Sequence, residues 1–321
     1  MAKIAVALEQ ALARDALSGA RGRLTGQVLA HGDSWTVEDV ICTSGPRDRP
    51  FEERHSHVSI AIVAAGSFQY RSTAGRELMT PGSLLLGNAG QSFECEHAHG
   101  AGDRCIAFRY APGYFGRLAA DAGPGVSGAK AAFRALRLPP LRDLSPLVAR
   151  ACAGLSGSGD PSWEEIGVRL AVQAVRLAAG LAPDRNGAPP NAVARVTRIV
   201  RMIDRHPGAG LTLGSLAREA GLSPYHFLRT FQRLTGVTPH QYVLRARLRE
   251  AAMRLAVEHA RVIDIALDCG FGDLSNFNRA FRSEFGVSPR VYRLQTRHPV
   301  YRARSGNHLV PPLPKGEGVR G

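Results

Sequence analysis

Two groups of side chains in this sequence have the chemistry to recognise a partner. The first comprises two polar clusters, Tyr225, Leu228, Arg229 and Gln232, then Leu274, Ser275, Asn278, Arg279 and Arg282. Asn and Arg carry paired donors and acceptors that match the major-groove edges of adenine and guanine. The second group is His55, His57, Cys95, His97, His99 and Cys105. Thiolate and imidazole ligands suit zinc or another transition metal. Their spacing is not that of a zinc finger, so three other readings stay open. Cys95 and Cys105 could form a redox pair, the face could line a small-molecule pocket, or the histidines could be solvated or hydrogen-bonded. In an extended strand Cys95, His97 and His99 would share one face. Cys42, Cys152 and Cys269 read as small core residues.

The elements that position the first group are written twice. Gly221, Phe227, Arg229, Phe231, Gly236, Val237, Pro239 and Tyr242 recur as Gly270, Phe277, Arg279, Phe281, Gly286, Val287, Pro289 and Tyr292. Each copy predicts helix, glycine turn, helix, the layout of a helix-turn-helix. In the first, Leu213, Leu216, Ala217 and Ala220 line a scaffold helix and Gly221 makes the turn. Ser223 caps the next helix, Pro224 fits its first position, and Phe227, Phe231 and Leu234 point inward. In the second, Val262, Ile265 and Ala266 form the scaffold face, Gly270 makes the turn, Asp273 caps, and Phe277, Phe281 and Phe285 are buried. Between the units, residues 240–257 predict a connecting helix whose Arg245, Arg247, Arg249 and Arg254 are expected to hold a phosphate backbone rather than read bases.

The run IALDCGFGDLSNFNRAFRSEFGVSPRVY, residues 265–292, resembles the signature of the AraC/XylS family of bacterial transcriptional regulators, with the resemblance extending over 191–295. It implies two recognition helices in successive major grooves on one face of promoter DNA, and a homodimer that contacts RNA polymerase if it activates. Upstream, His55-Ser-His57, the run 59–63, Gly66 and Pro81-Gly82 resemble the cupin-like sensor domain often joined to such readers. The acidic and histidine ligands of metal cupins are missing, since Ile60–Ile62 and Leu85–Leu86 are apolar. The sequence therefore predicts an α+β multidomain chain: a cupin-like β-barrel with helices, then an all-α domain with two helix-turn-helix units.

The boundaries read as 1–120 for the sensor, 130–182 for a helical linker or dimerisation segment, 191–295 for the DNA reader and 296–321 for a disordered basic tail. Residues 2–17 predict an amphipathic helix and 24–110 strands, including 35–42, 58–63, 83–86 and 105–110. Residues 133–153 and 163–181 predict helices. The second has two apolar stripes, Ile166, Leu170, Ala174 and Leu177, and Val168, Val172 and Val175, which either pack on their own domain or form a dimer contact. Pro183–Pro190 reads as a linker. Of a net charge of +14, residues 191–295 supply 16 Lys/Arg against 8 Asp/Glu, as a phosphate-facing domain requires. No signal peptide or membrane span is expected. Five cysteines without a disulfide framework suit the cytoplasm. A non-enzymatic regulator answering to an unknown small-molecule or metal effector is the leading reading. A metal-dependent cupin enzyme fused to a DNA-binding domain is the alternative, and a nonspecific nucleic-acid binder a third option.

Overall fold

The run from Val58 to Ala65 holds only one polar residue, Ser59, so a strand formed there must be covered on both faces. The computed structural model describes residues 2–18, 21–122, 132–155, 162–179, 181 and 189–297. It opens with helix α1 (Ala2–Ser18) and strands β1 (Leu24–Gly32), β2 (Trp35–Cys42), β3 (Phe51–Arg54), β4 (Val58–Gly66), β5 (Phe68–Ser72), β6 (Gly75–Met79), β7 (Leu84–Gly87), β8 (Ser92–Glu96) and β9 (Asp103–Tyr110). Helix α2 (Pro112–Ala120), strand β10 (Arg137–Leu138) and helices α3 (Ser145–Leu155) and α4 (Trp163–Ala178) follow.

The strands form two antiparallel sheets, β1-β2-β9-β4-β7-β10 and β3-β8-β5-β6. Strand alternation sends the side chains of β4 into two cores. Ala61 and Val63 meet Phe68, Tyr70 and Met79 of the second sheet. Ile60 and Ile62 face the other way, packing with Phe115 of α2 and Ile166, Leu170 and Ala174 of α4. Val168, Val172 and Leu177 are partly buried against that same core, and the Tyr110 hydroxyl donates to the Gly167 carbonyl at 2.8 Å. Both apolar stripes of α4 thus pack on its own domain.

One expected helix is corrected. Residues 133–144 are not α-helical: Arg137–Leu138 pair with Leu84–Leu85 of β7, and a 3₁₀ turn at Arg142–Leu144 precedes α3. Pro139 and Pro140 explain it, because the residue before a proline is pushed out of the helical region and proline has no N–H to donate.

The C-terminal part is helical: α5 (Pro190–Arg205), α6 (Leu213–Glu219), α7 (Pro224–Thr235), α8 (Pro239–Val257), α9 (Val262–Asp268), α10 (Leu274–Phe285) and α11 (Pro289–Arg297). Helix α8 serves two cores. Tyr242, Val243 and Ala246 pack with Phe227 and Phe231 of α7, whereas Leu248, Ala251, Ala252 and Leu255 pack with Phe277 and Phe281 of α10. This sharing explains why its apolar residues follow no single face. Leu213, expected on the scaffold face, is instead exposed, and Leu216 and Ala217 bury that face without it. The helical part docks on the sheets: Leu78 of β6 joins the core of the first unit and Ala149 of α3 that of the second. The linker reading at 183–190 falls mostly, and that of the tail almost wholly, outside the described residues.

Candidate nucleic-acid interface

Each recognition helix is set by a local device at either end. Ser223 accepts the His226 amide at 3.4 Å and Asp273 the Asn276 amide at 2.7 Å, each satisfying a helix-start donor. Gly236 and Gly286 close the helices in the left-handed region, at φ +79° and +76°. The turns ahead of them need glycine too, with φ +63° at Gly221 and +85° at Gly270. A Cβ on Gly270 would lie 2.7 Å from the Gly208 carbonyl oxygen, so the backbones meet there.

With Phe227, Phe231 and Leu234 buried, α7 exposes Tyr225, Arg229 and Gln232. Tyr225 is 62% exposed. The Arg229 guanidinium stacks on the Tyr225 ring at 5.7 Å, and its Nη1 donates to the Tyr225 hydroxyl at 3.4 Å. On α10, Ser275, Asn278, Arg279 and Arg282 are exposed, and Arg279 Nη2 donates to Asn276 Oδ1 at 3.3 Å. Arg229 and Arg279 are therefore held by neighbours on their own helices, not by acidic residues. The two leucines differ. Leu274 is half-buried against the core of the second unit, whereas Leu228 is half-buried without joining the core of the first.

The arginines of α8 each meet protein partners. Arg245 Nε donates to Glu284 Oε1 at 3.3 Å and Arg247 Nε to the Pro207 carbonyl at 2.8 Å. Arg249 reaches Asp204 at 3.5 Å, and Arg254 pairs with Glu258 and Asp268 at 3.0 and 2.9 Å. Sequence reveals the charge of such residues but not the partners that consume it. Glu284, which also meets Ser145 of α3, was not legible as a tie between the two parts of the chain.

A family model described as a helix-turn-helix domain matches residues 216–295. Over 98 residues the chain is 32% identical to the regulatory protein SoxS of Salmonella typhimurium, an overlap of 30% of this chain and 92% of SoxS. It is 32% identical over 99 residues to the HTH-type transcriptional activator AarP of Providencia stuartii, covering 31% of this chain and 73% of AarP. The chain belongs to the AraC/XylS family. A third relative, the HTH-type transcriptional regulator Rv1931c of Mycobacterium tuberculosis, is 40% identical over 86 residues, which is 27% of this chain and 33% of that protein. All these matches are confined to lengths of about a third of the chain or less, the span of a helix-turn-helix pair. Membership therefore rests on the helix-turn-helix part of the chain.

In the N-terminal part of this family member, the six His/Cys candidates do not all gather, although His97 and Cys105 meet at Asp103. His55 lies inside the sandwich, its Nε2 2.8 Å from the Tyr70 hydroxyl and its ring stacked on Phe93 at 4.1 Å. Burial, with Arg109 nearby, lowers its pKa to about 4. His57 points outward, bonded to Ser56, and His99 occupies a turn after β8. His55 thus meets β8 at Phe93, two residues before Cys95, whereas His57 stays at the surface. His97 Nε2 instead meets Asp103 Oδ2 at 2.7 Å, and the Cys105 thiol donates to Asp103 Oδ1 at 3.2 Å. Burial lowers the His97 pKa, but hydrogen bonds from its ring to Asp103 and Cys42 outweigh it and hold it at about 9. Burial, then the Asp103 charge, pushes the Cys95 and Cys105 thiols well up. Cys42, read as a core residue, belongs to this cluster. At the positions where metal cupins place further ligands, the interior presents Ala61 and Leu85. Among the described residues no helix is long and apolar enough to cross a membrane.

Proposed function

We propose that this protein is a sequence-specific, effector-controlled transcriptional regulator that reads double-stranded promoter DNA with α7 and α10. The observation that carries this reading is the pair of capped helices on one shared α8, each with an exposed face of base-reading side chains. Arg229, Gln232, Asn278, Arg279 and Arg282 face solvent, whereas the arginines of α8 are occupied. Tyr225 and Ser275 flank them as further base-edge or phosphate contacts, and Leu228 and Leu274 supply at most an apolar touch to a thymine methyl.

The N-terminal sandwich is the sensor in this reading. An effector controls DNA binding only if it binds differently to DNA-competent and incompetent arrangements. The segment between β10 and α3 touches both recognition helices at their C-terminal ends: Pro139 packs against Gly236, and Arg142 Nε donates to the Ser283 carbonyl at 2.8 Å. A cytoplasmic homodimer, with RNA polymerase as a further partner where the protein activates, completes the proposal. The donor-poor Ala61 and Leu85 positions favour a sensor over a cupin enzyme. Selection of bound duplexes from a random DNA library tests the proposal. It should return a two-part motif with parts about 10 bp apart, one helical turn. Enrichment without any shared motif would overturn it.

A further inference from the structure

At one end of the sandwich both sheets turn donor side chains toward the same point. Cys42 ends β2 and pairs with Asp103, which begins β9; Cys105, two residues further along β9, shares that inner face. From the second sheet, Cys95 on β8 lies against the same core, and His97 follows it by two residues. Ligand atoms of Cys42, His97 and Asp103 all lie within 4.8 Å of one another. The four residues Cys42, His97, Asp103 and Cys105 are 2–6% exposed, so hardly any water reaches them.

We propose that Cys42, His97 and Asp103, with Cys105 as the fourth donor, form a binding site for a divalent cation of the zinc class, and that its occupancy controls the docking of α5. The second half of this inference rests on the regulator reading. Mixed thiolate, imidazole and carboxylate donors are the set that borderline transition metals take, and four such groups close a tetrahedral shell. Ligand atoms around such an ion stand about 3.5 Å apart. The His97–Asp103 contact of 2.7 Å would open by about 1 Å to admit it, with the ion replacing the proton between them and the Cys42 and Cys105 thiols releasing theirs to solvent. Apolar side chains would fill this interior at lower cost than a buried imidazole–carboxylate pair, whose desolvation its mutual attraction barely offsets. A role beyond packing accounts for that set.

The link to α5 is short. His97 and Asp103 bracket the turn 98–102, and the Ala101 carbonyl in that turn accepts Arg201 Nη2 of α5 at 3.3 Å. Arg201 Nε also donates to Ser67 Oγ at 3.1 Å, and its guanidinium lies so close over Gly100 that a Cβ there would displace it. An ion held by both ends of the turn fixes the carbonyl that Arg201 grips.

The test uses reduced, tag-free full-length protein, stripped with chelator, reloaded with zinc chloride and passed through a desalting column before elemental mass spectrometry. About one zinc per chain is expected in the parent and in a His31→Ala control, and about none in His97→Ala or Cys42→Ala. Cobalt loading of the parent adds a readout that needs no variant, since thiolate ligation gives a charge-transfer band in the near ultraviolet. Failure of the parent to retain zinc, a cobalt spectrum without that band, or retention unchanged in both variants would overturn the site. A Cys95–Cys105 disulfide formed without metal uptake would also overturn it, in favour of redox sensing. DNA affinity is then compared with and without zinc, and a change of at least about tenfold is expected. Equal affinities would refute the link to α5 while leaving the site standing. Zinc uptake by a protein without any preferred DNA sequence would spare the site and remove the regulator reading instead.

Discussion

Arg279 and Arg245 show how the same residue type takes opposite roles 34 residues apart in one small domain. Arg279 is exposed on α10 and tied only to Asn276, whereas Arg245 is turned in to Glu284, with side chains only 14% and 8% exposed. Arg279→Ala should weaken binding to the selected duplex by roughly 1–3 kcal/mol and relax one base position, read by anisotropy titration against single-base variants. Arg245→Ala should lower unfolding stability by about 2 kcal/mol, because it removes a charged donor from a buried carboxylate that keeps Ser145 and Arg142, while leaving the salt dependence of DNA binding unchanged. A reduced salt slope would place Arg245 on a phosphate after all. Asp204 offers a pH test. Burial pushes its pKa from 3.8 up to about 7, against the pull of Arg249 and of the Tyr242 hydroxyl. The folded state thus holds the proton more tightly than the unfolded one. The stability this brings is complete below 3.8 and lost as pH rises through about 7. Denaturant titrations across that window should show the decline in the parent and a flatter profile in Asp204→Asn.

At the scale of elements, local grammar was legible and pairing was not. Ser223, Pro224, Asp273, Gly221 and Gly270 announce their caps and turns because each acts within a few residues of itself. Asp273→Ala should cost about 1 kcal/mol, measured by urea unfolding, since it orphans the Asn276 amide. The strands at 35–42 and 58–63 were visible from their patterning. The pairing of β2 with β9 was not, because alternation tells which side chains share a face but never which strand lies alongside. Cys42 was consequently read as core filler, although that pairing sets it opposite Asp103. Residues 133–144 differ for another reason: a helical pattern runs over 133–153, and Pro139-Pro140 break it. The C-terminal ends of α7 and α10 meet the segment around Pro139 and Arg142, contacts separated by roughly a hundred residues or more that no periodicity encodes.

Across the whole molecule, two bodies with different chemistry share their cores. Leu78 of the sheets enters the core of the first reading unit, Ala149 of α3 that of the second, and Met253 of α8 the core of the sandwich. A change within the sandwich therefore has packed routes to both recognition helices. The uneven charge belongs to this scale too. The reader alone holds 16 basic against 8 acidic residues, yet several of those arginines are spent internally, so specific contacts rather than bulk charge must carry discrimination. The most direct measurement of that claim is the ratio of affinities for the selected duplex and a scrambled duplex of the same composition, at one physiological salt concentration. A ratio of about 10³ or more is predicted, as specific readers achieve. A ratio near one, with affinity falling steeply in salt for both duplexes, would make the protein a nonspecific binder and contradict the account.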